Sequence, residues 1–285
     1  MAILLAVLAL ALSTLGLVVV AVRYWIWNPD PLMDLYGGRE VINIGHRGSP
    51  EVAPENTLPS FVAALQQGAH GVELDVMLSK DGELVVIHDF TLGKTTTGAG
   101  LVKEHTLDEL KQLDAGSWFG EPFIGTTIPT LQEVIDRLPS ATLFNIEIKG
   151  QYIFTGGVEQ AVVDAVVENG LLDRAIISSF NPISLLRVRW ADHRVPIALL
   201  YSPDLPVFLS DGWLVPVLRP EVLHPRYDMV DEAYMAWTRN KGYRVNVWTV
   251  NEAAEMKRLI DLGVDGIITD RPDLLRQILH ERGLE

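Results

Sequence analysis

The sequence predicts an α/β protein: a TIM-type (β/α)8 barrel with an insertion after its second strand, preceded by an N-terminal transmembrane helix. The chain has 285 residues, 48% of them hydrophobic and 21% charged, and one barrel domain commonly uses about 250 residues. Short β-branched runs alternate with helical patterns, and repeated β-then-α units with right-handed crossovers build a parallel sheet. The third observation is an uncharged run at the N-terminus.

This apolar run extends from Ala2 to Val22 and contains no charged side chain. About 20 such residues in a helix span the hydrocarbon core of a bilayer. The next residues have the order typical of a membrane interface, where a cation and aromatic rings settle: Arg23, Tyr24, Trp25 and Trp27. The sequence therefore predicts a single-pass membrane anchor over residues 1–27.

A cleaved signal peptide is the alternative, with Val19-Val20-Ala21 as a tolerable cleavage site. Against it, the segment has no basic residues at its start, and its apolar run is longer than the usual 7–15 or so residues. The nearby cations, Arg23 and Arg39, both follow the helix. By the positive-inside tendency they favour a cytoplasmic location for the rest of the chain.

Residues 28–40, which include two prolines and two glycines, are predicted to form a linker, and residues 41–280 the barrel. The predicted strands are Val41–Gly45, Gly71–Leu78, Glu83–Ile87, Thr142–Lys149, Ala175–Phe180, Pro196–Leu200, Arg244–Thr249 and Gly266–Thr269, with a less certain one between Trp213 and His224. The predicted helices are Thr57–Gln67, Leu107–Leu113, Leu131–Arg137, Val158–Asn169, Pro182–Ala191, Asp231–Lys241 and Ala253–Leu262.

One strand pair breaks the alternation of strands and helices. Only "SKDG", Ser79–Gly82, separates the second strand from the next, which is too short for a crossover helix and predicts a hairpin. The second arm then returns its end, "IHDF", to the rim where the hairpin began. Residues 91–130 follow as a Gly/Thr-rich stretch with one helix. We expect this stretch to be an insertion that caps the barrel mouth, since functional loops gather on that rim.

Charged side chains share one face of two predicted strands, because strand side chains alternate. Glu73 and Asp75 share a face in "GVELDVML", and Asn145, Glu147 and Lys149 share one in "LFNIEIKG". A barrel strand turns its aliphatic side outward to the helices, so these charges are expected inside the barrel. Three carboxylates there are costly unless something compensates them. A divalent cation does so, and the hard oxygen ligands favour Mg²⁺ or Ca²⁺.

Other interpretations of these acids remain open. Each can form a buried salt bridge, for example Glu147 with Lys149 or Arg47. Zinc is disfavoured because no histidine pair has HExxH spacing. The absence of cysteine excludes disulfides, Cys-ligated zinc and a thiol nucleophile. The formal charge of -14 argues against a nucleic-acid partner and against polybasic binding to anionic lipid.

Two histidines lie where strands end. His46 follows the first strand and His88 follows the returning hairpin arm, so both are expected at the same rim. Imidazoles near neutral pKa suit general acid and general base roles, and Arg47 offers a fork suited to phosphate. The alternative for each histidine is a hydrogen-bonded structural residue. We expect structural or surface positions for the other five: His70, His105, His193, His224 and His280.

The order of motifs resembles the glycerophosphodiester phosphodiesterase family. The motifs are "GHRGSPEVAPENT", "VELDVMLSKDGELVVIHD", "GSWF…IPTL", "NIEIK", "ISSFN", "VNVWTVN" and "GVDGIITDRP". The similarity runs from about Val41 to Leu279, and the region from Asp204 to Pro220 fits the family least well. The resemblance implies the TIM barrel of phospholipase-C-like phosphodiesterases.

The resemblance also implies roles for individual residues. His46 and His88 correspond to the acid/base pair, and the implied metal ligands are Glu73, Asp75 and Glu147. Arg47 and Lys149 are expected to hold the phosphate, and Phe180 and Trp248 to line the pocket; core packing is the alternative for these aromatics. Glu55 and Asn56 match the "ENT" motif and are expected to support the site.

The activity implied is metal-dependent hydrolysis of glycerophosphodiesters to glycerol 3-phosphate and an alcohol. The predicted anchor places the barrel near lipid, so a lysophospholipase D acting on membrane lysophospholipids is an alternative. A catalytically inactive lipid- or phosphate-binding module is a second alternative, and a zinc hydrolase on the same fold is a third.

Overall fold

The computed structural model describes residues 2–22, 28–29, 35–150 and 155–284. The predicted interfacial residues, and part of the predicted linker, lie outside the described residues: Arg23, Tyr24, Trp25, Trp27 and residues 30–34. Residues 151–154, which follow the predicted strand Thr142–Lys149, also lie outside them.

Strands and helices alternate along the described chain. The strands are β1 (Ile42–Gly45), β2 (Gly71–Leu78), β3 (Leu84–Val86), β4 (Leu143–Ile148), β5 (Ala175–Ser179), β6 (Ile197–Tyr201), β7 (Val222–Pro225), β8 (Arg244–Val247) and β9 (Gly266–Thr269). The helices are α1 (Ala2–Ala21), α2 (Leu58–Gln66), α3 (Leu107–Lys111), α4 (Leu131–Arg137), α5 (Val158–Glu168), α6 (Pro182–Ala191), α7 (Val207–Ser210), α8 (Val215–Leu218), α9 (Glu232–Lys241), α10 (Ala253–Leu262) and α11 (Pro272–Glu281).

Eight of the strands close into a parallel barrel, because β1 pairs with both β9 and β2. The order around the ring is β1, β9, β8, β7, β6, β5, β4, β2, and each of these strands is followed by a helix before the next one begins. This is the (β/α)8 topology. The predicted fold class is confirmed.

The hairpin β2–β3 extends beyond the part of β2 that pairs with β1. Within β2, only Gly71 and Val72 pair with β1, whereas β3 pairs antiparallel with the C-terminal end of β2. The backbone N–H of Ile87 then donates to the carbonyl of Asp75 at 3.0 Å. The chain therefore returns to the barrel rim at this point and delivers His88 there.

Three helices and one strand differ from the sequence prediction. Helices α7 and α8 have four residues each. This is too short for a helical period of apolar residues to be recognised in the sequence. Helix α11 is also absent from the prediction, although its buried residues Leu275, Ile278 and Leu279 have helical spacing. The strand predicted between Trp213 and His224 lies at Val222–Pro225, at the far end of that interval.

The N-terminal end of the barrel is filled by residues that precede the first strand. Leu35 and Tyr36 are 4% and 3% exposed and pack with aliphatic side chains inside the barrel, including Ile44 and Ile268. The Tyr36 hydroxyl donates to Asn246 Oδ1 at 3.1 Å. The chain therefore enters the barrel at its base, at the end opposite the mouth.

Helix α1 is long and apolar enough to cross a membrane. Its segment Ile3–Ala21 has a mean hydropathy of 2.9 and no buried side chain. A signal sequence near an N-terminus can meet the same criterion of length and hydropathy. Val22, which follows α1, packs against apolar residues of the barrel.

Candidate active site

Three acidic side chains meet inside the barrel near the C-terminal ends of β2 and β4. The two strands pair in register, with Glu73 opposite Asn145 and Asp75 opposite Glu147, so the side chains of all four point the same way. Carboxylate oxygens of Glu73, Asp75 and Glu147 lie within 4.8 Å of one another. All three acids are buried. We call these three residues the acidic cluster.

Two cations partly offset the charge of the acidic cluster. Lys149 Nζ lies 2.8 Å from Glu147 Oε1 and 3.3 Å from Asp75 Oδ1, so the salt bridge considered from the sequence is present. The guanidinium of Arg47 lies 3.5 Å from Asp75 and 2.9 Å from Glu55. Because Glu55 shares Arg47, four carboxylates face two cations, and the site carries excess negative charge.

The excess negative charge affects the pKa values of the three acids in the cluster. Burial, together with the charges of Asp75 and Glu147, raises the pKa of Glu73 to about 8. Burial disfavours the charge of Asp75 as well, but Lys149 and Arg47 outweigh it and lower the pKa of Asp75 to about 2. Burial raises the pKa of Glu147, with Lys149 opposing. The cluster therefore retains a proton near neutral pH unless another positive charge arrives.

The donor set fits a hard divalent cation. The acidic cluster offers carboxylate oxygens from two strands, buried and close enough to share one ion. Mg²⁺ and Ca²⁺ prefer oxygen ligands of this kind, and carboxylates must be deprotonated to bind them. A bound cation also removes the energetic penalty of three acids in a low-dielectric interior.

The loop after β1 is shaped to serve this cluster. Arg47 and Asn56 both have left-handed backbones, with φ of 52° and 57°, a conformation uncommon for non-glycine residues. Asn56 Nδ2 donates to Asp75 Oδ2 at 2.8 Å, and Asn56 Oδ1 accepts from the backbone N–H of Asp75 at 3.2 Å. The Arg47 backbone N–H donates to Glu73 Oε2 at 2.9 Å. Together these bonds fix two of the three acids.

Each rim histidine is held by an aspartate through Nδ1. His46 Nδ1 lies 2.6 Å from Asp270 Oδ1, and His88 Nδ1 lies 2.7 Å from Asp89 Oδ1. Asn251 Nδ2 in turn donates to Asp270 Oδ2 at 2.6 Å. With Nδ1 engaged, Nε2 is the nitrogen of each ring available to a substrate. A carboxylate partner also fixes the tautomer and the ring orientation.

The two histidines differ in acidity. Burial disfavours a charged His46, but the hydrogen bond to Asp270 and the charge of Glu73 outweigh it, so the pKa of His46 is raised. Burial also acts on His88, where Lys149 and Arg47 add to it, and the pKa of His88 is lowered. Groups whose pKa values are pushed apart in one site are suited to act as acid and base.

Three side chains at the site are absent from the residues singled out in the sequence: Asp270, Asp89 and Asn251. A signal for the two aspartates exists. Asp89 directly follows His88, and Asp270 directly follows a strand that pairs with the strand before His46. Asn251 gives no such signal, because it lies in the loop four residues beyond the end of β8.

The side chains surround one pocket of about 260 Å³. Its lining includes both histidines, Glu73, Glu147, Lys149, Arg47, Phe180 and Trp248. The two aromatic rings meet edge to face, with centroids 5.2 Å apart, and form an apolar wall opposite the charged residues. His224 lies fully buried beneath them, and burial lowers its pKa to about 3, so this histidine is neutral.

A TIM barrel with buried carboxylates and paired histidines at its mouth defines a class of hydrolytic enzymes, and the comparisons narrow the class. Residues 46–274 match the glycerophosphoryl diester phosphodiesterase family. The chain is 43% identical, over 84% of its length and 98% of the relative's, to the glycerophosphodiester phosphodiesterase of Caldanaerobacter subterraneus. It is 33% identical to the one from Bacillus subtilis, covering 84% and 86% of the two chains.

Solved structures agree with this result. An Oleispira antarctica phosphodiesterase, solved in complex with the product sn-glycerol-3-phosphate, matches with a TM-score of 0.74 and 33% identity over 86% of this chain and 99% of that one. The chain belongs to the glycerophosphoryl diester phosphodiesterase family. The family predicted from the sequence is confirmed.

Metal binding to the acidic cluster is expected to release about one proton at pH 7, because Glu73, with its pKa raised to about 8, must lose its proton to become a ligand. Affinity for Mg²⁺ or Ca²⁺ should therefore rise with pH and level off above about pH 8. Calorimetric titration of the metal-free protein in buffers of different ionisation heat measures the proton count.

Glu73→Gln is expected to abolish this proton release and weaken binding. The matched control Glu121→Gln changes an exposed acid outside the site and should leave both quantities unchanged. Binding without proton release between pH 6 and 8 contradicts the assigned acidity of Glu73.

Proposed function

We propose that the protein is a metal-dependent phosphodiesterase that hydrolyses glycerophosphodiesters to glycerol 3-phosphate and an alcohol. One observation carries the proposal: two histidines, each held at Nδ1 by an aspartate, border the same pocket as the acidic cluster. This arrangement would supply two proton-transfer groups and a cation site around a phosphate bound in one pocket. The family and the product seen in the Oleispira antarctica phosphodiesterase support the choice of substrate.

The residues around the phosphate divide into two groups. Glu73, Asp75 and Glu147 would hold the cation, Mg²⁺ or Ca²⁺, which when bound supplies positive charge for the non-bridging phosphate oxygens. Arg47 and Lys149 would bind those oxygens directly, with Arg47 offering a planar fork. Their present partners, Glu55, Asp75 and Glu147, keep both cations aimed at the pocket.

The opposite pKa shifts of His46 and His88 support a direction for proton transfer. His88, with its lowered pKa, accepts the proton of the attacking hydroxyl as the new O–P bond forms. This hydroxyl is either water or the glycerol 2-hydroxyl; in the second case the product of the first step is a cyclic phosphate, which water opens to glycerol 3-phosphate in a second step. His46, with its raised pKa, donates a proton to the leaving alkoxide as the old P–O bond breaks. Asp270 and Asp89 hold the rings so that Nε2 carries out both transfers. Phe180 and Trp248 exclude water from the opposite side of the pocket.

A lysophospholipase D is the second candidate, and one feature favours it. A larger cavity of about 430 Å³ adjoins the catalytic pocket, and Lys149 lines both. Its lining combines apolar side chains with the cations Lys80, Lys103 and Lys149; the apolar ones are Met77, Leu78, Phe90, Leu101 and Val158. A cavity of this size can accommodate part of a lipid chain.

We further propose that α1 is retained as a single-pass anchor with the barrel on the cytoplasmic side. The support is the fully exposed apolar surface of α1 and the position of Arg23 and Arg39 after the helix. Mass spectrometry of the mature N-terminus should find residues 2–22 still present, and protease added to intact cells should leave the barrel uncut. A mature chain that begins after Ala21 indicates a signal peptide instead.

His46→Ala and His88→Ala are each expected to lower kcat on glycerophosphocholine by about 10²–10⁴-fold, because a positioned proton-transfer group contributes that much. Cation affinity should be unchanged in both variants, since neither histidine belongs to the acidic cluster. Stopped assays of choline release and calorimetry measure the two quantities. The control His193→Ala alters an exposed histidine at the end of α6 and should have no effect.

The two variants should differ on a p-nitrophenyl ester of glycerol 3-phosphate, whose leaving group needs no protonation. His46→Ala should recover most of its activity on this ester, whereas His88→Ala should not. The opposite pattern reverses the assignment of acid and base. Near-normal kcat in either variant on glycerophosphocholine refutes the catalytic role of that histidine.

The candidate functions are distinguished by comparing kcat/KM for glycerophosphocholine and for a long-chain lysophosphatidylcholine, with Mg²⁺ or Ca²⁺ and then with EDTA. The proposal predicts cation-dependent turnover of glycerophosphocholine at the higher kcat/KM. A preference of about tenfold or more for the lysophospholipid, about 1.4 kcal/mol, favours the lysophospholipase D. No cleavage of either substrate with any cation favours the inactive binding module.

A further inference from the structure

The segment between β6 and β7 has apolar residues on both its inner and its outer face. Val215 and Leu218 of α8 are buried in the core between strands and helices. The outer face exposes Val207, Phe208, Trp213 and Val217, with exposed fractions of 60%, 47%, 50% and 53%. Several large apolar side chains exposed on one short segment commonly mark an interaction surface.

These outer residues lie on neighbouring elements, since α6 packs beside α8. The backbone N–H of Trp213 donates to the carbonyl of Phe208 at 3.2 Å, which brings the backbones of the two aromatic residues together. At the far end of α8, Arg189 of α6 donates to the carbonyl of Arg219 at 2.7 Å. Trp190, the neighbour of Arg189, is 77% exposed. We call Val207, Phe208, Trp213, Val217 and Trp190 the apolar stripe.

The stripe runs along the flank of the barrel from its mouth to its base. At the mouth, Asp204 is ion-paired with Arg226, and Arg226 forms a backbone bridge with Trp248 of the catalytic pocket. At the base, α6 and α8 end where the next strands begin, at the same end of the barrel that Leu35 and Tyr36 fill. The stripe therefore links the end where the N-terminal segment enters to the rim of the pocket.

The N-terminal helix confines the barrel to the neighbourhood of a membrane. Val22, at the end of α1, packs against the barrel. Residues 23–34 alone separate it from Leu35, and 12 residues span at most about 40 Å even when fully extended. Once α1 crosses a bilayer, as proposed above, the barrel cannot leave the bilayer surface by more than this distance.

The chemistry of the stripe matches a lipid interface. Two tryptophans, a phenylalanine and two valines are the side chains that settle at the boundary between headgroups and acyl chains. The net charge of -14 disfavours an anionic surface. Peripheral membrane contact is also stable when two anchors act together, and α1 already supplies one.

We propose that the apolar stripe docks on the zwitterionic lipid surface of the bilayer that holds α1, with the barrel lying on this flank. The mouth then opens at the level of the headgroups, on the side of Trp248. Docking requires the anchor but not the enzymatic activity. It deepens the proposed function in one respect, because substrates that reside in the bilayer reach the pocket without crossing bulk water.

Single-cysteine labelling of the full-length chain tests the docking, because the chain contains no cysteine. Phe208→Cys and Trp213→Cys carry a nitrobenzoxadiazole label, and Val52→Cys is the matched control. Val52 is 44% exposed in the loop after β1, and β1 and β6 are on opposite sides of the ring. Each protein is reconstituted in phosphatidylcholine nanodiscs with and without doxyl-labelled lipid.

Doxyl lipid is expected to lower the emission of the labels at positions 208 and 213 by about twofold, because the stripe should penetrate about 5–10 Å into the interface. The label at position 52 should be unaffected. Equal emission changes at all three positions overturn the proposal. Labels at 208 and 213 that are shielded from aqueous iodide but not quenched by doxyl lipid indicate contact with a second copy of the chain, which also overturns it.

A kinetic measurement separates docking from catalysis. In the double variant Phe208→Ser, Trp213→Ser, kcat/KM for lysophosphatidylcholine embedded in nanodiscs should fall about tenfold, while kcat/KM for soluble glycerophosphocholine should not change. An equal loss on both substrates assigns the residues to folding and contradicts the docking role. If the wild-type enzyme cleaves neither substrate, the proposed function fails, and the label quenching still decides the docking.

Discussion

Three carboxylates buried within 4.8 Å of one another require compensating positive charge, and most of the site helps to meet this requirement. Burial in a low dielectric disfavours each charge, and their mutual repulsion adds to it. Lys149 lies against two of the acids and Arg47 against Asp75, yet Glu73 still retains a raised pKa. An added positive charge would therefore be favourable at the cluster. The same negative charge holds Arg47 and Lys149 in place.

Local features of the chain follow from this requirement. The left-handed backbones at Arg47 and Asn56 turn one loop so that it meets two acids, through the backbone N–H of Arg47 and the amide of Asn56. The return of the hairpin after β3 brings His88 to the same rim as His46. The pKa values of the two histidines then shift in opposite directions: burial lowers that of His88, whereas the hydrogen bond to Asp270 and the charge of Glu73 outweigh burial and raise that of His46.

Much of this arrangement can be predicted from the sequence, because it depends on strand periodicity. The i,i+2 spacing of Glu73 with Asp75 and of Glu147 with Lys149 places their side chains on the inward face, and the alternation of elements predicts the barrel. Contacts between the loops that follow different strands have no local signal, and Asn251 with Asp270 is an example. Tyr36 is another, since a linker rich in proline and glycine gives no indication that it fills the base.

The short helices α7 and α8 mark a second limit, because four residues are too few to show a period. They lie in the region that resembles the family least, and their exposed apolar residues distinguish this chain at its surface. The fold and the acidic cluster can be predicted from the alternation of side chains along the strands. The proposed membrane-docking surface, the apolar stripe, depends instead on residues outside any repeating pattern.

The most direct test of the account is a crystal structure of the protein with Ca²⁺ and glycerol 3-phosphate. We predict the ion within about 2.3–2.6 Å of oxygens from Glu73, Asp75 and Glu147, with the phosphate between Arg47 and Lys149 and facing Nε2 of both histidines. The central claim that these acids form the cation site is contradicted by an ion bound elsewhere. It is also contradicted by a phosphate bound with no ion at the acidic cluster, whose acids then contact only Lys149.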